Sequence, residues 1–203
     1  MPFVLSLEQV QRIREYARER HKDQDFDHTM EHVELTVEIS RWLARREGAD
    51  EEISVISAYL HDIAKGVGAE HAAIGAREAG AFLESIRAPE AFIEQVCYAI
   101  SQHANDLPKL TREAEVLWDA DKLQSVGPLG FARVFGYRMV YDGKQVQGAM
   151  RKARNYIGFF YDRFYTETGR VIAAELRNAM DDFFRLYDVV VSAELDEFLA
   201  ARI

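Results

Sequence analysis

The sequence predicts an all-α fold. Apolar residues recur at helical spacing almost from end to end, no repeat, low-complexity tract or Pro/Gly/Ser linker interrupts them, and capping or breaking residues punctuate them at helix-length intervals. A first helix is expected over Leu7 to His21, and a long second one from about Asp27 to Glu47. Gly48 stops the second, and Asp50 is a good N-cap for the next. The second helix carries two adjacent apolar stripes, Phe26/Met30/Val33/Val37 and His28/His32/Leu35/Ile39/Trp42, so it should be largely buried. A third helix is expected from about Glu51 to Lys65, a fourth from His71 to Ile86 and a fifth from Pro89 to His103, with Pro89 in its first turn. Asn105 to Pro108 reads as a turn. A sixth helix spans roughly Thr111 to Val126 and breaks at Gly127-Pro128; residues 131–139 are again helical, and Tyr141 to Lys144 reads as a loop. Two more helices follow, one rich in aromatics (Tyr156, Phe159, Phe160, Phe164) and one from Glu167 to Leu199. Their aromatic stripes read as core.

With 203 residues and 48% hydrophobic content, the chain can bury a substantial core, and nothing in it demands more than one domain. The single cysteine, Cys97, excludes an intramolecular disulfide, and neither a signal peptide nor a membrane span is apparent, which points to the cytoplasm. The net charge of -9 disfavours nucleic-acid polymers and anionic membranes as partners. That charge is unevenly spread: residues 109–170 hold eleven Lys/Arg against seven Asp/Glu, a local +4 against -13 elsewhere. Such a basic region suits a small anionic ligand, although most charged residues on a helix are simply solvated.

The sharpest chemical signal is His61-Asp62, set in the otherwise apolar run Ile53 to Lys65. A carboxylate withdrawn from water without a counter-charge costs on the order of several kcal/mol, and a metal ion is a counter-charge that also suits the neighbouring imidazole. Adjacent helical residues point about 100° apart, so they converge on an ion lying between their directions while other helices supply further ligands. Upstream lies Phe26-Asp27-His28-Thr29-Met30-Glu31-His32, and downstream Asp119-Ala120-Asp121-Lys122-Leu123. By spacing alone, His28 competes with His32 one turn on, and Asp119 with Asp121.

The ordered set His, His-Asp, Asp resembles the HD-domain superfamily of metal-dependent phosphohydrolases, whose fold is a helical bundle. Gly127 to Arg133 and Thr166 to Arg170 resemble segments of a bacterial HD subgroup linked to nucleotide pyrophosphate hydrolysis. The resemblance implies a single HD-type domain over 1–203, with the metal-site core at about 24–126 and C-terminal helices 148–201 packed on it. It implies His28, His61, Asp62 and Asp121 as metal ligands. His32, where the family usually has an aliphatic residue, is read as a buried histidine or a hydrogen-bonding partner of a ligand, and Asp119 as such a partner too. His71 and His103 occupy places resembling the extra ligands of two-metal HD enzymes; capping at helix ends is their alternative role.

Mixed imidazole and carboxylate ligands suit Mn, Fe, Co, Ni, Zn or Mg, with one ion expected and two accommodated if His71 and His103 take part. A metal-activated water would attack phosphorus, Asp62 orienting it and Lys65 neutralising charge on the phosphoryl oxygens. Lys122 and Arg133 are the leading candidates to hold outer phosphates, ahead of Arg151, Lys152 and Arg154. The expected substrate is thus a small nucleotide or phosphate ester, and a homodimer is compatible with the sequence. Two other readings stand beside the hydrolase: a di-iron oxygenase on the same fold, and a non-catalytic nucleotide-binding HD domain.

Overall fold

In the computed structural model, which describes residues 5–22, 29–192, 195 and 200, the chain is helical and no strand occurs among the described residues. Helix α1 (Leu7–Arg20) starts at Ser6, whose hydroxyl accepts the Gln9 amide while the Gln9 side chain returns to the Ser6 amide. This reciprocal capping satisfies two of the donors a helix start leaves open. Helix α2 (Met30–Glu47) ends on Gly48 in the left-handed conformation, φ 70°. Asp50 then accepts the Ile53 amide at 3.0 Å to start α3 (Glu51–Leu60), a cap worth about 1 kcal/mol. Residues 23–28 and 199, and with them the expected start of the second helix and the end of the last, lie outside the described residues.

Three further expectations are corrected. The third helix does not continue to Lys65. After Leu60 the backbone tightens to shorter-range bonds, with the Lys65 amide on the Asp62 carbonyl at 3.0 Å and Val67 on Ala64 at 3.0 Å, and a 3₁₀ turn at Lys65–Val67 closes on Gly68. Gly127-Pro128 opens a helix rather than merely ending one. After α4 (His71–Ser85), α5 (Glu90–Gln102) and α6 (Arg112–Leu123), the chain reverses at Gly127, φ 63°, and α7 (Gly127–Val140) follows with Pro128 in its first turn, where the missing amide costs nothing. Nor is α2 buried on both stripes: His32, Val33, Val37, Leu43 and Ala44 are covered, whereas Leu35 and Trp42 are 37% and 43% exposed. Arg46 lies over the Trp42 ring instead, 5.2 Å from its centroid.

The last two helices are α8 (Val146–Phe160) and α9 (Glu167–Ser192). Buried apolar residues form two cores. One gathers α1, α3, α4 and α5 around Ile13, Ile56, Leu60, Leu83, Val96 and Ile100. The other joins α8 and α9, through Ile157, Phe160, Ala173, Met180 and Phe184, to Leu43 and Ala44 of α2 and Val116, Ala120 and Leu123 of α6. Helices α2 and α6 face both cores, α2 adding Val37 and α6 adding Leu117 to the first. Their inward-facing polar residues, among them His32, Thr36, Asp119 and Asp121, are therefore enclosed between two apolar masses.

Candidate metal centre

His61 sits just past the last turn of α3, fully buried, and gives its Nδ1–H to the Ala58 carbonyl at 2.8 Å. Its Nε2 is thereby left with a lone pair. The same local device recurs at His71, whose Nδ1 meets the Gly68 carbonyl at 2.8 Å, and at His103, whose Nδ1 meets the Ile100 carbonyl at 2.6 Å. Each histidine uses a carbonyl three residues upstream to fix its tautomer and aims Nε2 inward, the arrangement in which imidazole binds metals.

Asp62 stands between two groups of these nitrogens. Its Oδ2 lies 3.4 Å from His61 Nε2 and 3.9 Å from His32 Nε2, and its Oδ1 lies 3.2 Å from His103 Nε2 and 3.7 Å from His71 Nε2. On the first side, Asp121 Oδ1 comes within 3.4 Å of His32 Nε2, and the two imidazole Nε2 atoms are 3.3 Å apart. His32, His61 and Asp121 form one cluster with the spacing of metal donors, and Asp62, His71 and His103 form another.

Burial works against ionising Asp62 and Asp121, yet both are held well below the usual carboxylate range. The His61 and His103 rings and Lys65 do this for Asp62; Lys122, His32 and His61 do it for Asp121. Burial lowers His32 to about 4 and also lowers His61 and His71. Two carboxylates amid inward-facing imidazole nitrogens are a donor set suited to a divalent transition ion.

His61, Asp62, Asp121, His71 and His103 are all brought together, and Lys65 joins them. Its Nζ lies 3.6 Å from Asp62 Oδ1 and 3.5 Å from His71 Nε2, with its side chain 29% exposed against 3% for Asp62. His28 falls outside the described residues. His32, expected as a buried histidine or as a hydrogen-bonding partner of a ligand, stands beside His61 and Asp121. It reaches the cluster because α2 turns it inward, a direction the His-x-x-x-His spacing already allowed.

Asp119 is turned away. Its Oδ1 accepts the Tyr165 amide at 2.9 Å, and its Oδ2 accepts the Thr166 amide and hydroxyl at 2.8 and 2.6 Å. A Cβ at Gly169 would stand 2.3 Å from Asp119 Oδ2, so only glycine fits there. Burial, resisted by these bonds, pushes the Asp119 carboxyl up to about 6. Asp119 fastens the start of α9 to α6 rather than facing the cluster.

Lys122 Nζ is 2.5 Å from Asp121 Oδ2 and packs over the Trp118 and Phe160 rings. Arg133 Nη1 lies 3.2 Å from His32 Nδ1, in a cleft of about 200 Å³ that also takes in Thr29, Leu35, Gln124 and Leu129. Arg151 and Arg154 are exposed on α8, Arg154 pairing with Asp188 of α9. Sequence reasoning missed Gln124, at the C-cap of α6, and Thr36, one turn beyond His32. The only signal for either was a polar residue one helical turn from a site residue on a core-facing helix.

Comparison with known proteins points to one family. The HD domain family model matches residues 29–125, beginning after His28 and spanning His32, His61, Asp62 and Asp121. YpgQ of Bacillus subtilis, an uncharacterized protein, is 25% identical over 191 residues, 88% of this chain and 92% of its own. Among solved structures, a predicted HD superfamily hydrolase from an uncultured Thermotogales bacterium is similar at TM-score 0.68 and 26% identity, covering 90% of this chain and 97% of that one. YpgQ in complex with ADP is similar in fold at TM-score 0.74 and 22% identity, covering 90% and 94%. Residues 29–125 of the chain are an HD domain.

Proposed function

We propose that this chain is a metal-dependent phosphohydrolase that cleaves a phosphoester or phosphoanhydride bond of a nucleotide. The carrying observation is the Asp62 carboxylate shared between two inward-facing histidine groups, with Lys65 beside it. His32, His61, Asp62 and Asp121 would hold one ion, together with the expected ligand His28, and Asp62, His71 and His103 would hold a second. A bound divalent cation supplies Lewis acidity toward a phosphoryl oxygen and lowers the pKa of water to near neutrality. With one ion held on the His61 side, Asp62 Oδ1 would accept a hydrogen bond from that water and orient it; with both ions held, that oxygen would belong to the second seat. Lys65, the most exposed charge at the site, faces the developing charge on the phosphoryl oxygens. Lys122, drawn to Asp121, balances the buried carboxylate more than it grips substrate, and Arg133 in the neighbouring cleft remains the candidate for an outer phosphate. The ADP bound by YpgQ supports a nucleotide as ligand.

A panel of nucleotides assayed with Mn²⁺, Co²⁺, Ni²⁺, Mg²⁺ and Zn²⁺, with orthophosphate and pyrophosphate measured separately, tests this reading. Release of either product only in the presence of metal is expected; nucleotide binding with no product across the panel would sink it. The same shared carboxylate favours one rival, a di-iron oxygenase. Two irons per chain after anaerobic purification, with oxygen-dependent turnover, would establish that chemistry instead.

A further inference from the structure

We infer that Gln124 is a positioning residue that sets the tautomer and aim of His32, with Thr36 holding the Gln124 amide in its working orientation. The inference rests on the proposed role of His32 as a metal ligand. His61, His71 and His103 each find a backbone carbonyl for Nδ1 three residues upstream. His32 lies inside the first turn of α2, and its Nδ1 instead meets the side-chain Oε1 of Gln124 at 3.0 Å.

An amide side chain offers an acceptor on one end and a donor on the other, so its effect depends on which end faces the ring. Thr36 decides this. Its hydroxyl donates to the His32 carbonyl at 2.8 Å, which leaves its oxygen to accept from Gln124 Nε2 at 2.7 Å. Oε1 must then face His32, which carries its proton on Nδ1 and turns the Nε2 lone pair to His61 and Asp121. Arg133 Nη1, also 3.2 Å from Nδ1, is a pure donor and favours the opposite tautomer. Gln124 and Arg133 therefore pull His32 in opposite directions, and ion binding goes with Gln124.

The test is Mn²⁺ affinity, measured by titration with the full-length protein. Gln124→Leu should weaken binding about 10–100-fold, the range typical of lost partners to metal-ligating histidines, while Gln124→Glu, which keeps an acceptor, should restore it to within about threefold. Zn²⁺-loaded parent protein with ¹⁵N-labelled histidine should show a slowly exchanging His32 Nδ1–H signal, a readout that survives if Gln124→Leu does not fold. Parental Mn²⁺ affinity in Gln124→Leu, failure of Gln124→Glu to rescue, or absence of that signal in the Zn²⁺-loaded parent overturns the inference. His32→Ala separates it from the functional reading: undiminished Mn²⁺ binding in that variant removes His32 from the ligand set, whereas loss there with no effect of Gln124→Leu removes only the role of Gln124.

Discussion

The two donor groups that meet at Asp62 are held in different ways. His32 projects from the first turn of α2 and Asp121 from the last turn of α6, two helices packed on both cores, and His61 from the end of α3; all three are buried, with a side-chain amide, a carbonyl and a lysine as their supports. His71 instead opens α4 right after the 3₁₀ turn, its ring on the Gly68 carbonyl that closes that turn, and His103 caps α5 before an irregular stretch. Lys65, the group open to solvent, stands on this second side. The contrast suggests a rigid seat for an ion on one side and an adjustable, solvent-facing side where a charged substrate arrives and where the anchoring residues have room to respond.

The largest effect expected from this asymmetry is at the shared pair. His61→Ala or Asp62→Ala should lose metal on dialysis and drop turnover by at least about 10³-fold, because removal of Asp62 dismantles both sides at once. His103→Ala should cost less, leaving one tightly held equivalent by elemental analysis. Equal metal loss in His103→Ala and Asp62→Ala would mean that the two sides are one cooperative unit and the comparison is mistaken.

A smaller effect is expected at Lys65. Lys65→Ala should lower kcat about 10–100-fold with metal content unchanged, the behaviour of a group that meets charge only as it develops. A variant that loses metal along with kcat would make Lys65 a support of Asp62 instead.

Stability should respond elsewhere. Asp119 and Asp121 are one residue apart from being neighbours on α6, yet one fastens the start of α9 and the other faces the ion site. Asp119→Ala strands the Tyr165 and Thr166 donors in a buried position and should cost about 2–3 kcal/mol in a denaturant titration. The folded variant should still take up parental metal. Loss of metal at unchanged stability would place Asp119 in the site after all.

The fold was legible because helical periodicity, Gly48 and Asp50 are local signals that the packing does not override. His61 and Asp62 stood out from their apolar surroundings, Asp121, His71 and His103 were implied by the resemblance to the HD-domain family, and the structure gathers all five. What the sequence hid depended on rotation about helix axes. That His32 faces the cluster, and that Asp121 does so while Asp119, about 200° of azimuth away, does not, is decided only by the packed positions of α2 and α6. Gln124 was hidden more deeply, since its role depends on Thr36, 88 residues away in sequence, and no local pattern links them. The end of α3 was misjudged for a related reason: the tight turn over 61–64 is set by where His61 and Asp62 must point, while the residues themselves read as helical.

The smallest effect concerns the stretch after His103, the proposed adjustable side. Lys109 Nζ reaches back to the Gln102 carbonyl at 2.8 Å and to Asn105 Oδ1 at 3.1 Å, over the faces of Trp118 and Tyr165. Burial, aided by Lys122 and opposed by Asp106, lowers its pKa from 10.5 to about 8. Between those values the unfolded chain binds a proton that the folded one has released, so this group makes stability rise with pH from about 8 to 10.5, with a slope no steeper than about 1.4 kcal/mol per pH unit. Below pH 8 both states carry the charge, and its contribution is flat. Lys109→Met removes the term, so the stability difference between parent and variant should grow in the parent's favour across that window, and other titrating groups cancel in the difference. A difference that stays constant from pH 7 to 10 would mean that Lys109 keeps its proton in the folded protein, that the carbonyls and rings around it outweigh burial, and that this side of the site is pinned more firmly than its turn-borne histidines suggest.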